Sequence, residues 1–176
     1  AFNRDMRNRL VACTRFDWSR ISPAVFGALF QAVMEPKERR QIGAHYTSER
    51  DILKVIGPLF LDDLKRELAR ANSDKGKLRK LHERLGNMRL LDPACGCGNF
   101  LVVSFRELRL IEMEILRRLT QQERDQRQRS LDLSAMLRVD VGQMYGIEIE
   151  EWPVRIAEVA MWLMDHQMNQ HLSEQF

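Results

Sequence analysis

The chain has 176 residues, of which 44% are hydrophobic and 30% charged, the composition of a soluble globular chain that forms one domain or part of a larger one. A formal net charge of +3 and an isoelectric point of about 8.9 make it mildly basic, which is compatible with a nucleic-acid partner and insufficient to argue for one. No apolar run approaches the roughly 18 residues that a membrane-spanning helix needs, and the start has neither the basic head nor the apolar stretch of a signal peptide, so the expectation is a cytoplasmic protein without a membrane partner.

Cys13, Cys95 and Cys97 form an odd set, and the close pair has no second pair to complete a zinc site, so reduced thiols and no metal are expected. The chain begins with Ala1 rather than Met, which reads as an excised piece. The charged stretches 62–70 and 121–129 read as solvated surface.

In chain order, the first 35 residues read as a helical lead-in. Ser22 caps a helix, Pro23 suits its first position, and Val25, Phe26, Leu29, Phe30 and Val33 form an apolar face until Pro36 forbids continuation. A charged connection, 35–44, follows; its Glu35-Pro36-Lys37 superficially matches the tail of a nuclease pattern but has no partner acid upstream. Thr47 or Ser48 then caps a helix beginning near Glu49, with Asp51 placed for a capping box or for the helix dipole. Gly57-Pro58 is expected to break or kink it. A second helical run spans about 59–71, a turn 72–76, and a short helix reaches Leu85 and is closed by Gly86.

The organisation changes at Met88. Residues 88–92 read as a strand, a glycine-rich turn follows, and from Phe100 a long helix carries Leu108, Ile111, Ile115, Leu116 and Leu119 at helical spacing. After a polar connection from Thr120 to about Ser130, residues 143–149 read as a second strand. Pro153 opens another helix, with Val154, Ala157, Ala160, Met161, Met164 and Met168 as its core stripe. Strands alternating with helices predict an α/β fold with a parallel sheet. Two strands do not complete such a sheet, so the expectation is a chain that ends while its sheet is still being built, with an exposed edge that favours self-association. Trp18, Trp152 and Trp162 fit core or interface packing better than base stacking, since none sits in a basic aromatic cluster.

The chemistry is concentrated in Asp92-Pro93-Ala94-Cys95-Gly96-Cys97-Gly98-Asn99-Phe100, at the carboxyl end of the first strand. Open α/β sheets bind ligands there, and glycines let the backbone approach closely. Asp92 adds negative charge, which suits a cationic amino group or sulfonium better than a pyrophosphate. Position 101 is Leu where a dinucleotide fingerprint needs a third glycine, and the Gly-Lys-Ser/Thr of a phosphate loop is missing. Glu148, at the end of the second strand, stands where related folds bind ribose hydroxyls, since one carboxylate can accept both protons. Cys95 and Cys97 read as packing residues, and Glu150 and Glu151 as solvent-facing or capping acids. His45 reads as an exposed loop residue.

Three segments then carry a family resemblance. Gly43-Ala44-His45-Tyr46-Thr47-Ser48, the loop 92–100 and Tyr145-Gly146-Ile147-Glu148-Ile149-Glu150 resemble, in that order, successive motifs of gamma-class DNA adenine amino-methyltransferases. More narrowly, the chain is similar to the methyltransferase part of bacterial type II fused restriction-modification enzymes. The resemblance implies an incomplete Rossmann-like fold binding S-adenosylmethionine, preceded by a helical segment, 1–86, whose loop near 43–48 contacts the cofactor; 87–176 is then the first part of the methyltransferase domain. It implies that Tyr46 and Thr47 hold the methionine end, that Asp92, Pro93, Ala94, Gly96 and Gly98, followed by Asn99 and Phe100, form the cofactor loop, that Glu148 binds the ribose, and that Ile149 packs on the adenine ring. The family's Asp/Asn-Pro-Pro-Phe/Tyr motif, which holds a flipped base, is absent, so no residue here takes the catalytic role. Duplex DNA is the implied partner of the full-length parent, and the fragment alone is expected to be inactive. Methylation of another nitrogen acceptor, or a non-catalytic helical interaction module, are the competing readings.

Overall fold

The structure, a computed structural model, describes residues 3–15, 21, 25, 47–120 and 136–175. The helix expected after Ser22, the segment 43–46 with His45 and Tyr46, Trp18 and the connection 121–130 lie outside the described residues, apart from Val25.

Helix α1 (Arg4–Thr14) is capped by Asn3, whose side chain accepts from the Met6 N–H, and buries none of its residues. Helix α2 (Glu49–Ile56) starts at Ser48 as expected. The Ser48 hydroxyl accepts from the Asp51 N–H at 3.2 Å and donates to the Asp51 carboxylate at 2.7 Å. At Gly57-Pro58, where a break or kink is expected, the helix does not end. Instead Gly57–Leu61 forms a π-helical turn that runs directly into α3 (Asp62–Ala71), the Asp62 N–H reaching back to the Gly57 carbonyl. Proline has no N–H to continue an α-helical ladder, and one wider turn absorbs the defect without ending the helix.

Asn72, at φ 45°, turns the chain, and Asp74 caps α4 (Lys75–Asn87) by accepting from the Lys77 N–H. Gly86 lies inside α4 rather than closing it. A Cβ there would stand 2.9 Å from the Arg138 Cβ, so this glycine lets a later segment cross the helix closely.

The β–α–β unit follows. Strand β1 (Leu90–Asp92), helix α5 (Asn99–Thr120), a 3₁₀ turn (Val141–Gln143), strand β2 (Met144–Gly146) and helix α6 (Glu151–Gln175) complete the described elements. The strands pair in parallel, Leu90 with Met144, Leu91 with Tyr145 and Asp92 with Gly146. Both are shorter than the sequence suggests. Gln143 in particular is not a strand residue: its buried amide donates to the carbonyls of Leu85, Gly86 and Met88 and so satisfies the end of α4.

Helix α5 is the axle of the molecule. Its apolar surface runs nearly all round, as a helix buried on every side requires, and it packs against α2, α3, α4, α6 and both strands. Val102, Val103, Phe105, Leu108, Ile115 and Leu116 are fully buried. Met161, Met164 and Met168 of α6 are buried with Pro153, Ala157, Ala160 and Leu172, as the periodicity predicts. Trp152 and Trp162 are not core residues: they are 74% and 65% exposed, on the opposite side of α6.

Between α4, α5 and α6 runs a buried polar cluster that the sequence does not announce. Glu112 of α5 is fully buried. Its Oε1 accepts from the Arg138 and Val139 N–H groups at 2.6 and 3.1 Å and lies 2.8 Å from His82 Nε2, while its Oε2 accepts from Arg109 at 3.4 Å. Arg109 also donates to Asp165 and Asn169 of α6 at 3.0 and 2.6 Å and lies 5.6 Å from the centre of the Phe105 ring. Its Nε is buried without a hydrogen-bond partner among the described residues.

Candidate functional site

The site is built where both strands end. The ladder does not stop at Asp92 and Gly146: the Ile147 N–H donates to the Asp92 carbonyl at 2.9 Å, and the Cys95 N–H donates to the Ile147 carbonyl at 2.9 Å. These two bonds bend the loop after β1 over the end of β2. Asp92 shapes the start of that loop by accepting the Ala94 N–H on Oδ1 at 3.1 Å, an Asx turn, and its Oδ2 has no hydrogen bond among the described residues.

Two glycines make the rest of the turn possible. Gly96 and Gly98 have φ of 53° and 77°, the left-handed region where side chains are strained. They differ in surroundings. A Cβ on Gly96 would meet nothing within 4 Å, whereas one on Gly98 would stand 2.9 Å from the Ala157 Cβ, so Gly98 seats the loop against α6 and Gly96 leaves the backbone open. The Gly98 N–H closes the turn on the Cys95 carbonyl, and the Gly98 carbonyl accepts from Val102 in the first turn of α5.

Glu148 ties this loop to α6. One oxygen accepts the Gly96 N–H at 2.9 Å, and the other accepts the N–H groups of Ile149 and Glu150 at 2.7 and 3.0 Å, at the positive end of the helix dipole. Sequence separation hides this contact, since Gly96 and Glu148 are 52 positions apart. The structure thus brings Asp92, Gly96, Gly98 and Glu148 together at the carboxyl ends of the two strands. Pro93 and Ala94 are exposed on the loop, and Asn99 and Phe100 open α5 half-buried. Ile149 projects from the site with 95% of its surface exposed. Thr47 is half-buried beside the α2 cap, with no hydrogen bond to the loop among the described residues, and Tyr46 lies outside them.

Beside the loop a cavity of about 230 Å³ opens between α2, the π turn, β1 and α5. Its walls are mostly apolar, from Val55, Leu59, Phe60, Pro93 and Phe100, with Asp92 and Ser104 as polar points. The π turn was missed as a wall of this space because a Gly-Pro pair reads as a break rather than as a shaped helix.

Electrostatics at the site are acidic. Burial raises the Cys95 and Cys97 thiols, reinforced for Cys95 by Asp92 and then Glu148, and for Cys97 by Glu148 and then Cys95; Cys97 is pushed up to about 11. Both thiols therefore stay protonated at neutral pH, in keeping with packing residues. Among the described residues no group of three or more His, Cys, Asp or Glu side chains is placed to hold a metal ion, and none of the helices is long and apolar enough to cross a membrane.

Fold and site together define an α/β module that offers a glycine loop and two carboxylates at the carboxyl ends of adjacent parallel strands. The family follows from comparison: residues 68–176 match the DNA-methyltransferase domain of MmeI, and the chain belongs to that family. It is 38% identical over 176 residues to DNA methyltransferase A of Bacillus subtilis, covering 99% of this chain and 19% of that protein. It is 24% identical over 171 residues to a putative type II restriction enzyme and methyltransferase of Methanocaldococcus jannaschii, covering 81% of this chain and 14% of that protein. A solved structure of the type IIL restriction-modification enzyme MmeI in complex with DNA superposes with a TM-score of 0.91 at 51% identity, covering 99% of this chain and 23% of that one. The chain thus spans less than a quarter of the length of each of these relatives.

Proposed function

We propose that this chain forms the S-adenosylmethionine-binding part of a cytoplasmic DNA methyltransferase in a restriction-modification system, whose complete protein methylates the exocyclic amine of adenine in duplex DNA. On this reading the two strands begin a Rossmann-like sheet, 1–86 is the helical lead-in and 87–176 the first part of the methyltransferase domain. The observation that carries it is the placement of Asp92, the Gly96–Gly98 turn and Glu148 around one point at the strands' carboxyl ends.

The residues present fit that cofactor on their own chemistry. Gly96 leaves an open side where a Cβ would project into empty space, Asp92 keeps one oxygen without a hydrogen bond among the described residues, and the surrounding charge is negative. A cation is favoured there and a pyrophosphate is not. When bound, the cofactor supplies a methyl group on a positively charged sulfur. Asp92 would hold its amino group, Glu148 its ribose hydroxyls, and Tyr46, Thr47, Pro93, Ala94, Gly98, Asn99, Phe100 and Ile149 would complete the surround. Three of the roughly four lone-pair directions of Glu148 already accept backbone N–H groups, so accepting both hydroxyls requires the carboxylate to release one of them.

The transfer itself needs an acceptor nitrogen held in line with the methyl and, in a duplex, a base flipped into a pocket. The motif for that pocket is not among these 176 residues. The proposed role of the chain is therefore to bind and orient the cofactor, with no methyl transfer to DNA by the chain alone.

Calorimetric titration tests the reading. S-adenosylmethionine and its demethylated product are expected to bind, and a nicotinamide dinucleotide is expected not to. Tighter binding of the dinucleotide would sink the proposal.

A further inference from the structure

Within the loop, Cys95 lies against Gly146 at the end of β2. A Cβ built on Gly146 would stand 2.6 Å from the Cys95 Sγ, 3.1 Å from its Cβ and 3.2 Å from the Leu101 Cδ1. The first of these separations is one that real side chains do not adopt, so the cysteine side chain occupies the space that any residue but glycine would claim at the end of β2. Gly146 has no positive φ to explain it. Its reason is proximity.

That proximity sets the geometry of the site. Three hydrogen bonds lie next to the Cys95–Gly146 contact: Ile147 N–H to Asp92, Cys95 N–H to Ile147, and Gly96 N–H to Glu148, each 2.9 Å. All three join the loop after β1 to the end of β2. At 2.9 Å these bonds can lengthen by about 0.3 Å before they weaken, and the larger displacement that a Cβ at 2.6 Å from the sulfur demands stretches or breaks them. The thiol itself is half-buried, and its one hydrogen-bond contact among the described residues is a weak one to the Gly96 carbonyl, 3.8 Å away. Its function here is its volume.

We propose that Cys95 and Gly146 act as a matched pair of positioning residues, whose combined size fixes the distance between the glycine loop and Glu148 and thereby the fit of the cofactor's ribose. The inference rests on the cofactor reading of the preceding section. It assigns the pair no contact with the reacting atoms.

The pair predicts compensation, which a purely structural glycine does not. Gly146→Ala overfills the junction and is expected to weaken S-adenosylhomocysteine binding about tenfold or more, measured by calorimetry at a temperature where each variant is folded. Cys95→Val overfills it from the other side and is expected to act in the same direction. Removing the sulfur in the double variant Cys95→Ala/Gly146→Ala relieves the worst overlap and is expected to return affinity to within about threefold of the wild type. If the pair acts through Glu148, Gly146→Ala adds little to the loss already caused by Glu148→Ala.

The outcomes separate. A wild-type chain that binds no S-adenosylhomocysteine overturns the cofactor reading and this inference with it. A wild type that binds, alongside a folded Gly146→Ala or Cys95→Val that binds equally well, overturns the inference alone. So does a double variant that binds no better than Gly146→Ala. Should Gly146→Ala fail to fold, Cys95→Val and the double variant carry the same decision.

Discussion

Two glutamates in this chain perform the same mechanical task at opposite depths. Glu112 and Glu148 each gather backbone N–H groups from a segment distant in sequence, Glu112 from Arg138 and Val139, Glu148 from Gly96, and each thereby fastens a loop to a helix. Glu112 is sealed in the interior, with His82 and Arg109 filling its remaining directions. Glu148 is half-buried, has no cationic side chain beside it among the described residues, and faces the mouth of the loop. A carboxylate surrounded on all sides is committed to the fold, whereas one that holds backbone donors and still meets solvent can also meet a ligand. Position at the strands' carboxyl ends, not residue type, separates the two.

The comparison breaks most visibly at Glu112. Glu112→Ala leaves two backbone N–H groups without their acceptor in a dry interior and takes from Arg109 one of its two carboxylate partners, Asp165 remaining, and losing one partner of a buried charged pair costs about 3 to 5 kcal/mol. Denaturant unfolding followed by circular dichroism is expected to register that loss. Cofactor affinity of the fraction that remains folded is expected to change little. A variant as stable as the wild type would mean the cluster is not the fastening it appears geometrically to be.

Glu148 is expected to behave in the reverse sense. Glu148→Ala should weaken binding of S-adenosylmethionine or its product by about 1 to 3 kcal/mol, the cost of losing charge-assisted hydrogen bonds, with a smaller effect on stability. Part of that loss comes from the loop, since Gly96 loses its anchor in the same substitution. Glu151, exposed in the first turn of α6 and paired loosely with Arg155 at 3.7 Å, is the matched control, and Glu151→Ala should do little. Calorimetry on both variants checks it. Equal and negligible effects in folded protein would remove Glu148 from the ribose role.

How much of this was legible beforehand follows from the range of the interactions. The loop 92–100 could be read because its chemistry is local: an acid, two glycines and a helix start within nine positions. Glu148 could be placed at a strand end, but its bond to Gly96 spans 52 positions and has no local signature. The helix periodicities of α5 and α6 could be read because burial imposes them directly. Glu112, Arg109 and His82 could not, because charged residues inside an apolar stripe look like ordinary surface positions until the neighbouring elements are known. Gly86 and Gly146 were similarly opaque. A glycine required by a distant neighbour carries no mark in its own sequence, while Gly96 and Gly98 sit in a recognisable turn. Trp152 and Trp162 show the converse, since large aromatic residues suggest a core and here face outward.

A third glutamate sharpens the contrast from the surface. Glu114 of α5 fastens no loop and holds only side chains, accepting from Arg117 at 2.6 and 2.8 Å and from Arg118 at 2.6 Å. The Arg117 hydrogen bond leads in drawing its pKa from 4.5 down to about 2; burial, the next largest influence, opposes it, and the Arg118 hydrogen bond adds to the lowering. A carboxylate whose pKa is lowered by folding stabilises the protein above its unfolded value of 4.5, and that contribution fades as pH falls toward 2. Arg117 is nearly half exposed, so solvent screening reduces the contribution to about 1 kcal/mol or less rather than the full value of the shift. Gln in its place cannot ionise. Denaturant unfolding of wild type and Glu114→Gln should therefore differ by that small amount at neutral pH and converge as the solution is acidified through the window between the two values. High salt should narrow the neutral-pH difference as well, because exposed charge pairs are screened and the backbone clasps at Glu112 and Glu148 are less so. A difference that grew on acidification would reverse the sign required of a lowered carboxylate pKa and would show that Glu114 is not stabilised by its two arginines.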